Sequence, residues 1–302
     1  MTTAANPIST AQHEAQKKKS TRSQILFEIV KYSILIPLTI SFAFPLYWMV
    51  SSALKIDPQI FTSPPVLVPI PIHPQNFIEA WQVMPFSLYT YNSLVLYVIP
   101  VTVLTVISSA IVAYGFARIQ WRGREQFFWL AVMTMMLPWA VTMVPLFITF
   151  RNLGWLDTYL PFVVPAMFGH PYFIFLLRQF FLSIPQEISD AARIDGASEG
   201  RILFSIILPL SKAALAVVAL FRFMWGWNDY LGPLIYLRSE ELYPLALGIE
   251  NLSRRANDIG NFSNGIPYLM AVSTIVALPI IVTFFFAQRT FIEGISLTGV
   301  KG

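Results

Sequence analysis

Arg222, Trp225, Gly226 and Asp229 carry the polar chemistry of an otherwise apolar run, and their spacings of three, four and seven place them on one helical face. A charge inside such a run costs a few kcal/mol unless it meets water, a partner or a bundle interior. An indole beside charged and hydrogen-bonding groups suits a polyhydroxylated ligand such as a sugar. The ring packs on its C–H face, and the polar groups take its hydroxyls. Asn228 and Tyr230 flank this face. The same residues admit a packing reading, in which Arg222 pairs with a neighbouring helix and Trp225 seats against another subunit. On one continuous helix Arg222 and Asp229 stand roughly 10 Å apart along the axis, too far to neutralise each other directly.

A second polar cluster is DAARIDGASEGR, residues 190–201, set between two apolar runs. Ser183-Ile-Pro-Gln before it reads as a helix start, with a serine cap, a first-turn proline and a glutamine three residues on. Glu187 to Asp195 favours helix, and Gly196 supplies the left-handed turn. A second helical stretch begins near Ala197-Ser198 and runs to Pro209. Ala191 and Ala192 are small enough to let another surface approach closely. Such a segment either rests on lipid headgroups as an amphipathic helix or docks a soluble partner.

Reaction chemistry is not indicated. His13, His73 and His170 are scattered and form no ligand cluster with acids. There is no cysteine, which excludes disulfides and thiolate metal sites, and no G-x-x-x-x-G-K-[ST] phosphate loop. Met133, Met135, Met136 and Met143 read as packing residues.

The elements that must position these clusters follow from composition. Of the 302 residues 56% are hydrophobic and 12% charged, and the mean hydropathy is +0.61. Soluble domains carry about 25% charged residues. Six apolar runs, approximately 28–53, 88–117, 126–150, 158–182, 207–236 and 267–291, each reach the length of about 20 residues that crosses a bilayer. They are too long for membrane strands, so the expected fold is an all-α integral membrane protein of six spans. The first run is too long for a signal peptide, and no cleavage site follows it. Residues 1–24 are expected to be a disordered cytosolic tail, 25–292 the membrane domain with a polar loop at 183–206, and 293–302 a second cytosolic tail.

Basic residues set the orientation. Lys17, Lys18, Lys19, Arg22, Lys31, Arg118, Arg122, Arg124, Arg178, Arg193, Arg201, Lys212, Arg289 and Lys301 fall on one side. The other side has only Lys55, Arg151, Arg238, Arg254 and Arg255. The positive-inside rule puts both ends and the 183–206 loop in the cytosol. This topology accounts for most of the net charge of +4 without a nucleic-acid partner. Outside lie a proline-rich stretch at 54–87, expected to be extended and not helical, and a long loop at 237–266. Each is either a connection or a rim for an external partner. Pro37, Pro45, Pro138 and Pro145 are expected to kink helices, and Trp48, Trp121, Trp129, Trp155 and Tyr159 to anchor helix ends at the interfaces.

PQEISDAARIDGASEGRILFSIILPLSKAALAV resembles the EAA loop of the membrane subunits of ATP-binding-cassette importers. Asp190, Ala191 and Ala192 fill the EAA positions, with aspartate for the usual glutamate. Gly196 fills the glycine position, and Ile206, Leu208 and Pro209 the closing ones. FMWGWNDYLGPLIYL (223–237) and AQRTFIEGISLTGVKG (287–302) are similar to the second, six-helix permease of the carbohydrate, maltose-type group. The resemblance implies a coupling helix after Asp190 that lies in a groove of a separate ATPase. Asp190 and Asp195 would face basic residues there, Arg193 and Arg201 acids or lipid phosphate, and Ala191, Ala192, Gly196 and Ala197 the contact itself. It implies a second permease subunit, two ATPase subunits that use ATP and Mg²⁺, and an extracytoplasmic sugar-binding protein. This chain would bind no cofactor and would sit in the cytoplasmic membrane of a bacterium or archaeon. The tail from Phe291 either reaches the ATPase or is an unstructured end. In the maltose-type group the partner permease can hold most cargo contacts, which leaves Arg222, Trp225, Asn228 and Asp229 open between pathway and packing.

A rival from another class is a self-sufficient ion-coupled carrier. It needs buried acids as ion sites; Asp229 is the clear one within a core run, and the halves show no inverted repeat.

Overall fold

The computed structural model describes residues 7–256 and 264–299, with side chains over 25–256 and 264–285. Among the described residues every regular element is helical, with no strand. In chain order the helices are α1 (Pro7–Ala53), α2 (Asp57–Ile60), α3 (Asn76–Val83) and α4 (Phe86–Arg118). Next come α5 (Arg124–Thr134), α6 (Trp139–Asn152), α7 (Leu160–Ala166) and α8 (Pro171–Ser183). Then follow α9 (Gln186–Ile194), α10 (Glu199–Leu210), α11 (Lys212–Trp227) and α12 (Leu231–Tyr236), and finally α13 (Leu245–Ala256) and α14 (Gly265–Gly299).

Four stretches are long and apolar enough to cross a membrane: Ile25–Ala53, Phe86–Arg118, Leu160–Ser183 and Gly265–Phe285. Two further pairs qualify only as bent spans, α5 with α6 at 96° and α10 with α11 at 81°. The runs 126–150 and 207–236, read as single helices from hydropathy, are therefore broken. Pro138 ends the first break, since a ring nitrogen cannot donate to the preceding turn.

Helix α1 begins at Pro7, inside the stretch whose composition indicated disorder; its Ala, Gln, Glu and Lys are good helix formers. At the other end α14 continues through residues 293–299 of the expected tail, while 1–6, 257–263 and 300–302 lie outside the described residues. The proline-rich stretch is not extended throughout, because Asn76–Val83 carries no internal proline and forms α3.

Two cores fill the bundle. In one, Ala110, Ala113 and Ala117 of α4 leave a shallow face into which Phe173, Leu177 and Phe181 of α8 pack, joined by Ile202 and Ile207. Small residues let the two backbones approach closely, as helices in lipid require. In the other, Tyr89, Tyr97 and Val98 of α4 meet Trp227, Leu252 and Ala271. Gly248 sits so close to Tyr89 that a Cβ there would overlap the ring. Along 25–46 the side chains of α1 are exposed and mostly apolar, a surface suited to lipid or another helix.

Charged side chains inside the bundle are held by several groups at once. Arg178 is buried beside Phe128 with its guanidinium 4.0 Å from the ring centre. It donates to Phe116 O and to both Glu125 carboxylate oxygens, at 2.8 and 2.9 Å. Buried Lys55 lies 3.9 Å over the Trp48 ring, and burial lowers its pKa.

Candidate functional site: a cavity at the helix breaks and a clamped surface loop

The cavity is lined by residues at three interruptions of helix. Met135–Pro138 leads to Trp139, 167–170 brings Gly169 and His170, and 228–230 brings Asp229. It has a volume of about 540 Å³ and also borders Arg222, Trp225, Gly232, Tyr97 and Tyr236. Irregular backbone at membrane depth persists only where protein or a wet cavity satisfies its polar groups. That accounting can be made at two breaks. Ser108 Oγ donates to the freed Ala166 carbonyl at 2.8 Å, and Ser109 Oγ accepts from His170 N at 3.1 Å. Asp229, one residue before the Tyr230 N-cap position, accepts the Gly232 N–H at 3.0 Å and so satisfies a first-turn donor of α12.

Asp229 thus stands beyond the end of α11, not on the same helical face as Arg222. A helix that stops at Trp227 corrects the single-face expectation, yet the cavity still brings Arg222, Trp225 and Asp229 together. The Tyr97 hydroxyl, on a side chain 2% exposed, donates to Asp229 Oδ2. Tyr97 therefore anchors Asp229 in the wall of the cavity that Arg222 also lines. The Trp225 ring, 44% exposed, rests on Phe173 at 5.0 Å, His170 at 5.5 Å and Tyr172 at 5.7 Å between ring centres. It is a supported platform with an open side. Asn228 does not line the cavity; its amide donates to Met224 O at 2.8 Å. Tyr97, His170 and Trp139 are cavity residues that the sequence reading left out. The signal for His170 was its place between Gly169 and Pro171 in an apolar run.

The second cluster forms the expected helix–turn–helix. Gly196 has φ +78° between α9 and α10. Ser198 caps α10 by accepting from Arg201 N at 3.3 Å. Ser183 is not the cap of α9. It ends α8 and donates to Phe180 O, and α9 starts at Gln186 after Pro185. Arg193 is committed inside the chain, at 2.7 Å to Asp190 Oδ1 and 2.7 Å to Glu199 Oε1. The Glu199 bond, chiefly, holds its pKa above the ordinary arginine value. Asp195, Ala191 and Arg201 are exposed, and Ala192 and Ala197 are partly covered. Ile194, which the sequence reading passed over, is 87% exposed at the turn.

The loop is gripped from below by α4. Arg118, 3% exposed, donates to Phe181 O at 2.5 Å, Ile184 O at 2.6 Å, Gln186 Oε1 at 2.8 Å and Pro185 O at 3.5 Å. It satisfies carbonyls left open where α8 ends. One turn earlier, Tyr114 donates to Glu199 Oε2 at 2.5 Å.

Beyond the cavity, Asp157, at φ +59°, ties the turn after α6 to the loop after α12. It accepts Arg238 N at 2.8 Å, Ser239 N at 2.9 Å and the Ser239 hydroxyl at 2.5 Å. The hydroxyl bond, chiefly, lowers its pKa.

Known proteins resemble this chain in sequence and fold. Residues 106–296 match the family described as binding-protein-dependent transport system inner membrane component. The probable ABC transporter permease protein YurM of Bacillus subtilis is 34% identical over 292 residues, covering 96% of this chain and 94% of that one. The arabinooligosaccharides transport system permease protein AraQ of Halalkalibacterium halodurans is 37% identical over 204 residues, 68% of this chain and 71% of its own. The sn-glycerol-3-phosphate transport system permease protein UgpE of Yersinia pestis is 33% identical over 258 residues, 83% and 90% respectively. A solved bacterial ABC transporter involved in the import of the acidic polysaccharide alginate superposes with a TM-score of 0.76 at 25% identity, covering 89% of this chain and 97% of that one. Permeases of this family work in a complex with a second permease, an ATPase and a binding protein. The chain belongs to the binding-protein-dependent transport system inner membrane component family, as a multi-pass inner-membrane permease subunit of an ABC importer that is not itself an enzyme.

Proposed function

We propose that this chain forms one side of a pathway for a sugar or oligosaccharide and that α9 and α10 receive an ATPase subunit. One observation carries the reading: the helix breaks open onto a single cavity that holds an aromatic platform beside Arg222 and Asp229. A sugar ring laid on Trp225 keeps its hydroxyls free for Arg222 and Asp229. Six spans, with each bent pair counted as one, and both termini in the cytosol are the topology that the basic residues favour. That topology puts α9, the Gly196 turn and exposed Ile194 on the cytosolic face, between the fourth and fifth spans. The importer would be completed by a second, different permease, two ATPases that hydrolyse Mg²⁺-ATP, and an external sugar-binding protein. Cargoes named for relatives, arabinooligosaccharides and sn-glycerol 3-phosphate, set the panel to try first.

The test is uptake of labelled neutral oligosaccharides and sugar phosphates by cells with the whole importer, with and without Trp225→Ala. Loss of a stacking platform is expected to cut uptake about tenfold, the order of one aromatic contact, while the subunits still co-purify. Unchanged uptake of every transported member would remove Trp225 from the pathway and the reading with it.

A further inference from the structure

Tyr114 and Arg118 lie four residues apart on α4, so they emerge from one face at its end. Between them they hold both halves of the helix–turn–helix. Arg118 takes the exit of α8 and the first residue of α9, through Phe181, Ile184, Pro185 and Gln186. Tyr114 takes Glu199 of α10, and Glu199 binds Arg193 of α9 through both carboxylate oxygens. Arg193 closes the ring by reaching back to the Arg118 carbonyl at 3.4 Å. These partners are 63 to 85 residues away from α4 in sequence. The bonds are charge-assisted, and those from Arg118 to Phe181 and Ile184, from Tyr114 to Glu199 and from Arg193 Nε to Glu199 are 2.5 to 2.7 Å long, which makes the joint stiff.

The same helix reaches the cavity. Tyr97, in a π-helical segment at Asn92–Val98, is bonded to Asp229 there. Seventeen residues separate Tyr97 from Tyr114, roughly 25 Å of helix. Alanines 110, 113 and 117 pack the intervening stretch against α8, so α4 has little room to slide on its neighbour.

We propose that Tyr114, Arg118 and Glu199 are positioning residues that join the α9–α10 loop to α4, making α4 the rod that carries loop movement to the Tyr97–Asp229 side of the cavity. The inference rests on the reading of α9–α10 as the ATPase-docking surface. The joint passes the push of the ATPase to the cavity, and neither hydrolysis nor docking depends on it.

The experiment uses the assembled importer, with the ATPases and partner permease, in lipid nanodiscs. The chain has no cysteine of its own, so Leu231→Cys places one probe at the cavity wall. Its labelling rate by a charged maleimide is measured without nucleotide and with ATP and vanadate, alongside ATP hydrolysis and ATPase co-purification. Tyr114→Phe removes one hydroxyl, and Glu199→Gln weakens both of its bonds. Each variant is expected to keep the ATPase and at least about half of its hydrolysis while shrinking the nucleotide-dependent change in labelling about fivefold or more, the low end of a coupling free energy between sites. Glu199→Asp in place of Gln should restore part of the change. A labelling change that persists in full in both variants, or that falls only in proportion to hydrolysis, overturns the inference. Failure of the docking reading shows differently, as no co-purifying ATPase and no nucleotide effect on labelling in the Leu231→Cys parent, and takes the inference with it.

Discussion

Gly232→Ala tests whether the cavity wall is as tightly built as its geometry indicates. A Cβ at this position would stand 2.6 Å from Asp229 Oδ2, 2.9 Å from a Phe162 ring carbon and 3.2 Å from Asp229 Oδ1, where ordinary contact begins at 3.4 Å. Phe162 is packed 4.6 Å from the Tyr97 ring, centre to centre, so the carboxylate must give way. Moving it breaks the bond from Tyr97 and the 3.0 Å bond from Gly232 N–H. A hydrogen bond to a charged group is worth about 1.5–3 kcal/mol. Asp229 is only partly buried, so two such bonds come to about 3 kcal/mol. Alanine returns up to about 1 kcal/mol of helix propensity, leaving a loss of about 2 kcal/mol. For a chain of this size that is a fall of roughly 4–8 °C in apparent midpoint, read as loss of monodisperse protein on heating. The control is Gly115→Ala, in a helix with nothing within 4 Å of the added carbon, which should hold or raise the midpoint. Equal midpoints for the two variants would refute the reasoning, because they would show that Asp229 is not held where the cavity wall requires it.

Other predictions follow the same logic. Arg118→Ala leaves the Phe181 and Ile184 carbonyls without their donor, at about 1–3 kcal/mol each. The expected result is a lower thermal midpoint and faster proteolysis of the 183–206 loop, with Arg118→Lys intermediate. Asp157 has a folded-state pKa below the ordinary 3.8, so its contribution is complete above that value and is lost as the pH falls through the lower folded value. Acid titration monitored by exchange of the Arg238 and Ser239 amides should show that loss, and Asp157→Asn should remove the dependence. Gly196→Ala puts a side chain at φ +78° with open space around it. It should cost about 1 kcal/mol through backbone strain alone, measurable as a shift in loop proteolysis with little change in the bundle.

Much of this architecture was legible in the sequence, for physical reasons. Apolar length reports membrane crossing, and Gly196 reports a turn because few other residues accept its φ. The breaks were not legible, because hydropathy averages over 126–150 and 207–236 and does not register a single Pro138, the turn at Ser211 or the helix end at Asn228-Asp229. A helix-start signal was present, as the acid Asp229 stands two residues before Leu231-Gly-Pro. Arg222, Trp225 and Asp229 were legible as a polar group and meet at one cavity, although on a helix and the loop after it instead of on one helical face. Tyr97 was silent, since an aromatic in an apolar run looks like core until a carboxylate is found at its hydroxyl. Arg118 read only as one of the cytosolic basic residues and Glu199 drew no assignment, because their partners are brought near only by the packing of α4 against α8 and α10.

The most direct measurement of the whole account is a crosslink from a single cysteine at Ala197, which lies just after the turn at Gly196. It is paired with cysteines around the groove of the co-purified ATPase, with and without ATP. The account predicts a crosslink at one side of that groove whose yield changes with nucleotide. No crosslink at any groove position, with transport persisting when the ATPase is removed, would contradict it and leave an ion-driven carrier built around Asp229.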